Sequence, residues 1–264
     1  METVTSADGT LIAFERTGSG PPVVLVHGMG FDHTFWDLSS VRSALAAHYT
    51  VYAIDRRGRG GSGDTDEYDL ECELEDVAAV VESIDEPVTL LGHSFGAVVA
   101  LNAADRIDTL QGLVLYEPGI SFEEGFPVME QLLGTIRPLI TDGEKEQALL
   151  TLLNTVRMPE PSVKELRSGA NWQELVDAAD TLPREFEQLI EYEFEHDRFR
   201  DVTIPTLLLV GEESSPGAND TTKTLDETLP DSRIVRIDGA DHFGLISKPD
   251  RCVEEILAFR HNRK

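Results

Sequence analysis

A serine between two glycines is the strongest chemical signal in the chain. It lies at the centre of Gly92-His93-Ser94-Phe95-Gly96. An apolar run at residues 88–91 precedes this pentapeptide, and small residues with helical spacing follow it at 97–104. A strand, a G-x-S-x-G turn and a helix in this order hold a serine on a sharp turn with its Oγ exposed above a sheet. The pattern therefore predicts a nucleophile at Ser94 rather than an ordinary glycine-rich turn.

A histidine near the end of the chain could activate that serine. A serine hydroxyl is a weak nucleophile and needs an adjacent base, which an acid in turn orients. His242 follows the last predicted strand, which suits the chain order serine, acid, histidine that accompanies such a turn. His93 directly precedes the serine and is expected to pack or hydrogen-bond structurally. We therefore predict that His242 is the general base.

Two backbone amides could bind the negative charge that develops when a serine attacks a carbonyl group. Such an oxyanion needs donors that are already oriented towards it. Phe95 follows the serine immediately, and Met29 lies between two glycines in the loop of residues 27–30. Because glycines let a loop approach a substrate closely, we expect the amides of Met29 and Phe95 to form an oxyanion hole.

Apolar runs alternate with helix-period segments through much of the chain, which is typical of an α/β fold. Strands are predicted at residues 10–16, 23–26, 50–54, 88–91, 112–116, 206–210 and 233–237. Helices are predicted at residues 34–47, 68–83, 97–104, 219–229 and 249–261. This alternation implies a mostly parallel sheet with helices on both faces.

The residues that could do chemistry are predicted to meet at one edge of that sheet. Six polar residues follow predicted strands, namely His27, Asp55, Ser94, Glu117, Glu212 and His242. Because the carboxyl ends of parallel strands lie together, this convergence supports a single site more strongly than any one motif does.

Residues 118–200 interrupt the alternation. Helical spacing is present at residues 127–140 and 144–157, no strand is evident, and prolines divide the region into short helices. We predict a cap over the edge of the sheet and call it the helical insertion. The chain would then consist of a core at residues 1–117 and 201–264 and of the helical insertion at 118–200.

The composition of the chain excludes several classes of protein. Its 264 residues suffice for one large core, and no apolar stretch approaches the length of a membrane span. The start of the chain lacks the basic and apolar regions of a signal peptide, so the expected location is the cytoplasm. The net charge of −27 disfavours binding to nucleic acid or to anionic membranes.

Four motifs, in the order in which they occur, resemble the α/β-hydrolase superfamily. They are residues 24–30, the loop at 55–62, the pentapeptide at 92–96 and the late Asp241-His242-Phe243. The resemblance covers nearly the whole chain outside the helical insertion. It implies a mostly parallel, eight-stranded sheet with a cap inserted after the sixth strand. It also implies a nucleophile, a base and an oxyanion hole at Ser94, His242 and the amides of Met29 and Phe95.

The acid that orients the histidine is where the chain departs from the family pattern. The family usually has an aspartate three residues after the glycine that ends the seventh strand, and this position holds Ser214. Some relatives, including certain haloalkane dehalogenases, take the acid from the end of the preceding strand, where this chain has Glu117. We predict Glu117 as the acid, with Glu213 or Glu212 next and Asp220 after them. The structural alternative is that Glu117 caps a turn before the following proline.

These residues predict a serine hydrolase that needs no cofactor and no metal. The expected substrates are small to medium carboxylic esters or lactones, cleaved through an acyl-enzyme. A serine where epoxide hydrolases and haloalkane dehalogenases carry aspartate argues against those two activities. Hydrolysis of carbon–carbon bonds, amide cleavage at a terminal proline, cofactor-free perhydrolysis and ligand binding without catalysis stay open, as does the oligomeric state.

A second glycine motif competes with this interpretation. Residues 58–63 match G-x-G-x-x-G and follow a strand, which is the start of a dinucleotide-binding pattern. That pattern needs a helix that opens on the glycines and an acid after the next strand. Residues 64–67 intervene before the helix, and the next strand ends at the serine turn without an acid. We therefore expect no dinucleotide site.

The acidic, lysine-poor composition predicts a dependence on salt. Only five of the 22 basic residues are lysines, which resembles proteins from salt-loving microbes. Self-repulsion of this much negative charge should destabilise the folded chain unless salt screens it. We expect the melting temperature, followed by circular dichroism, to fall by about 10 °C or more between about 2 M and about 0.01 M salt. An equal melting temperature in dilute buffer would indicate an acidic protein of an ordinary cytoplasm.

Overall fold

The computed structural model describes residues 1–122 and 127–261, and its eight strands form one sheet. The strands are β1 (Glu2–Thr5), β2 (Leu11–Gly18), β3 (Pro22–Val26), β4 (Thr50–Ile54), β5 (Val88–His93), β6 (Leu110–Tyr116), β7 (Thr206–Gly211) and β8 (Ser232–Ile237). The helices are α1 (Val41–Ala46), α2 (Leu70–Glu82), α3 (Phe95–Ala103), α4 (Pro127–Thr141), α5 (Lys145–Thr155), α6 (Glu160–Ser168), α7 (Trp172–Asp177), α8 (Leu182–Glu191), α9 (His196–Phe199), α10 (Pro216–Thr228), α11 (Gly244–Ser247) and α12 (Pro249–His261). None of these helices is both long enough and apolar enough to cross a membrane, within the part of the chain described.

The sheet is antiparallel at one edge and parallel elsewhere. Its strand order is β1-β2-β4-β3-β5-β6-β7-β8, with β2 antiparallel to both of its neighbours. The pairs from β4 to β8 are all parallel. Every residue of β3, β4, β5 and β7 is buried, as expected of strands that helices cover on both faces. The predicted α/β fold with an eight-stranded, mostly parallel sheet is confirmed.

The chain passes from β5 to α3 through a reversal that leaves no room for side chains at two positions. A Cβ atom on Gly96 would lie 2.2 Å from the carbonyl oxygen of Val26, and one on Gly92 would lie 2.4 Å from the carbonyl oxygen of Gly96. Both contacts are with backbone atoms, which cannot swing aside as a side chain can. Ser94, between these glycines, has φ 55° and ψ −119°, which residues with a side chain rarely adopt. The close packing of β3, β5 and α3 therefore requires both glycines.

The described residues between β6 and β7, where the helical insertion is predicted, form helices and no strand. Within it, α4 packs against α5 and α8. The apolar stripe of α5 is buried in the core and consists of Leu149, Leu152 and Leu153. A Cβ atom on Gly30 would lie 2.9 Å from Leu152 Cδ2, so α5 reaches the loop after β3. The division of the chain at residues 118 and 200 stays a prediction.

Two elements differ from the sequence prediction. The predicted helix at residues 34–47 is instead a 3-10 helix at His33–Asp37 followed by α1, and Leu38, Ser39 and Ser40 separate the two. Asp32 begins the first segment by accepting a hydrogen bond from the N–H of Thr34 at 2.8 Å. β1 lies outside the predicted strands, because it is mostly exposed at the edge of the sheet and has no apolar run.

Replacing Gly96 with alanine should severely destabilise the fold, whereas the same change at Gly134 should not. The added Cβ at Gly96 would meet two backbone oxygens, at 2.2 and 2.4 Å, and overpacking of this kind costs about 1–3 kcal/mol or more. Gly134 lies within α4 with nothing near its added Cβ, so alanine should stabilise the helix there by about 0.5–1 kcal/mol. Urea unfolding measures both changes. A Gly96→Ala protein as stable as the wild type would contradict the described turn.

Candidate active site

Ser94 lies at the top of the turn between β5 and α3. It is half-buried, whereas its neighbours His93 and Phe95 are buried. The Ser94 N–H donates to the carbonyl oxygen of Tyr116 at 3.0 Å, and the Ser94 carbonyl oxygen accepts from the N–H of Gly119 at 3.3 Å. These bonds attach the turn to the end of β6. The predicted nucleophile is therefore held on a fixed backbone at the carboxyl edge of the sheet.

A carboxylate at the end of β6 contacts the ring of the late histidine. Glu117 Oε2 lies 2.9 Å from Nδ1 of His242, although the two residues are 125 positions apart in the chain. Glu117 has φ 44°, a left-handed conformation that is uncommon for a residue with a side chain. Its side chain is 3% exposed, and that of His242 is 25% exposed. The structure thus brings together the residues predicted as acid and base.

The other carboxylate oxygen of Glu117 accepts two hydrogen bonds from the end of β7. The Gly211 N–H donates to Oε1 at 2.9 Å, and the Ser214 hydroxyl donates to the same atom. Burial alone would raise the pKa of the Glu117 carboxyl, but the hydrogen bond and charge of His242, with help from Ser214 and Gly211, outweigh it. The pKa lies below its ordinary value, so Glu117 is ionised at neutral pH. At the position where the family usually has its acid, this chain has Ser214, which donates to Glu117.

The three alternative acids lie in other surroundings. Glu212 Oε2 accepts a hydrogen bond from the N–H of Gly239 at 2.9 Å. Glu213 and Asp220 are exposed. Within residues 1–122 and 127–261, none of these three acids forms a hydrogen bond or an ion pair with His242, whereas Glu117 does.

A second histidine joins the serine turn to the loop that carries His242. His93 Nε2 lies 2.9 Å from the carbonyl oxygen of His242, and the two rings are 4.9 Å apart. Since a carbonyl oxygen only accepts, Nε2 of His93 carries the proton. Burial, with the neighbouring charge of His242 adding to it, lowers the pKa of His93 to about 3. His93 is therefore a neutral donor, which is the structural role expected of it.

The Ser94 hydroxyl forms no hydrogen bond in the described part of the chain, so no bond to the His242 ring is present. Bonds between a nucleophile and its base are often long in free enzymes and tighten when the substrate binds. The backbone contact through His93 holds the His242 loop beside the serine turn. Proton transfer between Ser94 and His242 stays a prediction.

The amides predicted for the oxyanion hole are free to donate. Among the described residues, neither the Met29 N–H nor the Phe95 N–H has a hydrogen-bond partner. Phe95 is the first residue of α3, and amides at the start of a helix favour negative charge. A Cβ atom on Gly28 would lie 3.1 Å from the Cβ atom of Ser94, so the loop after β3 passes close to the serine.

Asp55 lies at the same edge of the sheet but is engaged with its own loop. Its Oδ1 accepts from the N–H and the ring of His33 at 2.9 and 2.7 Å, and its Oδ2 accepts from the Gly61 N–H at 2.8 Å. The side chains of Asp32, His33 and Asp55 form a group whose possible ligand atoms lie within 4.8 Å of one another, close enough to hold a metal ion. Both oxygens of Asp55 already accept hydrogen bonds, which argues against a metal here. The absence of a metal stays a prediction.

The comparisons with known proteins identify the family. The sequence profile of the alpha/beta hydrolase family matches residues 23–255, and the chain therefore belongs to this family of enzymes. It is 28% identical over 258 residues to a pimeloyl-[acyl-carrier protein] methyl ester esterase of Aeromonas hydrophila, covering 94% of this chain and 98% of the relative. It is 29% identical to a non-heme haloperoxidase of Rhodococcus erythropolis over 98% and 99% of the two chains. A solved alpha/beta hydrolase from Sphaerobacter thermophilus has 33% identity and a TM-score of 0.82, covering 98% of this chain and 99% of that one.

Ser214→Ala should destabilise the protein in a pH-dependent way. The Ser214 hydroxyl stabilises the ionised carboxylate of Glu117, and a hydrogen bond to a charged group contributes about 1.5–3 kcal/mol. A carboxyl group whose pKa is lower in the folded state stabilises the fold above its unfolded-state pKa. That contribution is lost as the pH falls through the folded-state pKa. Relative to the wild type, the decrease in unfolding free energy caused by Ser214→Ala should be largest near neutral pH and smaller at acidic pH.

Ser215→Ala is the matched control for this experiment. Ser215 begins α10 by accepting a hydrogen bond from the Ala218 N–H at 3.2 Å, and loss of such a cap costs about 1 kcal/mol at any pH. Urea unfolding at about pH 7, about pH 5 and about pH 3 provides the free energies, because folded Glu117 takes up its proton below its ordinary pKa. Equal, pH-independent losses in both variants would contradict an ionised Glu117 held by Ser214.

Proposed function

We propose that this enzyme hydrolyses carboxylic esters or lactones of small to medium size through an acyl-enzyme. Ser94 attacks the carbonyl carbon while His242 takes the hydroxyl proton, and Glu117 orients the imidazole and stabilises its protonated form. The amides of Met29 and Phe95 bind the oxyanion. His242 then donates the proton to the leaving alcohol. A water molecule, activated by the same histidine, releases the carboxylic acid and frees the serine.

The contact between Glu117 and His242 carries this proposal. A neutral imidazole has one donor and one acceptor nitrogen, so a ring that donates from Nδ1 to the carboxylate keeps Nε2 as the base. The lowered pKa of Glu117 keeps the carboxylate charged, which favours the imidazolium that forms during attack. This arrangement favours catalysis over ligand binding alone.

Leucines of the helical insertion pack against the loop after β3 and against the segment next to the serine turn, which supports an apolar acyl group in the substrate. Leu152 and Leu149 of α5 lie 2.9 and 3.0 Å from the place where a Cβ on Gly30 would stand. On another side, Leu189 of α8 lies 3.6 Å from the corresponding place at Gly119, next to the serine turn. Such residues bury an acyl chain and exclude water from a reacting ester. The methyl ester esterase of Aeromonas hydrophila, similar over nearly its whole length, supports ester hydrolysis as the reaction.

Perhydrolysis is the second candidate, favoured by the similarity to a non-heme haloperoxidase. In that reaction hydrogen peroxide replaces water as the acceptor of the acyl group, and the product is a peracid instead of a carboxylic acid. Nucleophile, base and oxyanion donors are the same in both reactions. The ratio of peracid to acid released from one ester in the presence of peroxide distinguishes the two.

A fluorophosphonate probe should label Ser94. The probe forms a covalent adduct only with a serine that a neighbouring base activates, so Ser94→Ala should abolish labelling without changing the fold. Mass spectrometry of the intact protein and of its peptides locates the adduct. Folded wild-type protein that forms no adduct at Ser94 would favour a ligand-binding protein.

Glu117→Gln should lower kcat/KM for p-nitrophenyl esters by about 10⁴-fold, because an amide stabilises the wrong imidazole tautomer. Glu213→Gln is the matched control, since Glu213 is exposed after the neighbouring strand, and it should stay within about twofold of the wild type. Esters of increasing acyl length, measured on the wild type, define the preferred substrate. Near-normal activity of Glu117→Gln would reject the assignment of the acid.

A further inference from the structure

A buried arginine joins the helical insertion to the loop that carries Met29. The side chain of Arg56 is fully buried, and its Nε and Nη2 donate to the two carboxylate oxygens of Glu73 at 3.0 and 2.6 Å. Its Nη2 also donates to Oε1 of Glu185 at 2.7 Å. Glu73 belongs to α2, whereas Glu185 belongs to α8 in the helical insertion. One guanidinium therefore binds a carboxylate from each part of the chain.

The remaining donors of Arg56 act on a carbonyl group in the loop after β3. Its Nη1 donates to the carbonyl oxygen of Gly28 at 3.3 Å, and Nδ1 of His27 lies 2.8 Å from the same oxygen. The Arg56 N–H donates to Nε2 of His27 at 3.2 Å, so the proton of this imidazole is on Nδ1. Burial lowers the pKa of His27 well below its ordinary value, which keeps the ring neutral. The Gly28 carbonyl therefore has two donors, one from Arg56 and one from a ring that Arg56 holds.

The Gly28 carbonyl and the Met29 N–H belong to one peptide group. The described chain has no cis peptide bond, so these two groups point in opposite directions within one plane. Donors that hold the carbonyl on one side therefore fix the direction of the Met29 N–H on the other. The guanidinium also lies 4.5 Å from the ring centre of Phe95, whose amide is the second proposed oxyanion donor. Arg56 thus helps to orient the Met29 amide and also contacts the side chain of Phe95.

We infer that Glu185 is a positioning residue that acts through Arg56, so that the orientation of the Met29 amide depends on the position of α8. The inference rests on the proposed function, because it concerns the donors of the proposed oxyanion hole. Three acceptors define the plane of the Arg56 guanidinium, namely Glu73, Glu185 and the Gly28 carbonyl. Without the carboxylate of Glu185, the guanidinium turns towards Glu73 and its bond to Gly28 weakens.

The same helix also contacts the acyl side of the site. Leu189 lies one turn beyond Glu185 on α8 and approaches Gly119 beside the serine turn. α8 therefore contributes both the carboxylate that binds Arg56 and an apolar side chain beside the serine turn.

Glu185→Gln tests the inference, because it keeps the shape of the side chain and removes its charge. Loss of one oxyanion donor costs about 10²–10³ in kcat, so a misdirected donor should lower kcat about 10- to 100-fold. KM should change less than about threefold, since the oxyanion exists only in the transition state. The affinity for a trifluoromethyl ketone, which forms a tetrahedral oxyanion on Ser94, should fall by the same factor as kcat/KM. The pH profile should not move, because Glu117 and His242 keep their contact.

Glu187→Gln is the matched control on the same helix. Glu187 is exposed and pairs with Arg137, so its replacement should leave kcat and the affinity for the ketone within about twofold of the wild type. Circular dichroism and the melting temperature establish that both variants are folded.

A charge-balanced double variant covers the case in which Glu185→Gln does not fold. Arg59 also donates to Glu185, and the change Arg59→Met combined with Glu185→Gln removes one buried charge of each sign. Nε and Nη1 of Arg59 have no partner among the described residues, so its replacement with methionine removes only the hydrogen bonds made by Nη2. The double variant should show the same fall in kcat and in affinity for the ketone.

Wild-type kcat and ketone affinity in a folded Glu185 variant would overturn the inference. A fall in kcat/KM that came entirely from KM, with unchanged ketone affinity, would overturn it as well, because α8 would then act only on substrate binding. A wild-type protein that neither hydrolyses esters nor reacts with the fluorophosphonate probe would overturn the proposed function and this inference together.

Discussion

The close approach of the serine turn to the loop after β3 is the constraint on which the rest of the site depends. The carbonyl oxygens of Val26 and His27 leave no space for a Cβ at Gly96, and the same proximity places Gly28 against Ser94. Ser94 is consequently held at φ 55°. A residue in such a conformation costs about 1–3 kcal/mol and persists only where the surrounding structure determines it. Here the parallel pairing of β3, β5 and β6 holds the backbone of Ser94 in this conformation.

Buried polar groups then set the directions of the groups that could react. His27 and His93 are neutral because burial lowers the pKa of each, and each donates to a backbone carbonyl. Arg56 is charged and bound by two carboxylates. A buried ion pair contributes little net stability but tolerates the loss of a partner badly, because an unpaired charge is left behind. Such groups define geometry more than they stabilise the fold.

The fold and part of the site could be predicted from local patterns. The buried strands β3, β4, β5 and β7 appear as apolar runs, and the reversal at Ser94 appears as glycines with a strand and a helix on either side. β1 could not be predicted in this way, since an exposed edge strand has no such run. The break at residues 38–40, before α1, was not predicted because the apolar residues keep helical spacing across it.

Contacts between residues far apart in the chain could be predicted only where both residues follow strands of the same sheet. Glu117 could be placed near His242 because both follow strands of one parallel sheet, whereas the pairing of Ser214 with the same carboxylate has no sequence signal. The contact of Arg56 with Glu185 joins residues 129 positions apart. Arg56 lies in the loop motif at residues 55–62, but nothing in the sequence pairs it with Glu185.

By itself the sequence determined the α/β fold, the glycine-flanked turn and the residue types available at the edge of the sheet, because these follow from local spacing and from backbone sterics. The tertiary structure alone decided which carboxylate faces His242 and which charges meet around Arg56. These contacts depend on distances of a few ångströms between side chains that the packing of the helical insertion against the sheet brings together. Such distances cannot be derived from the spacing of residues along the chain.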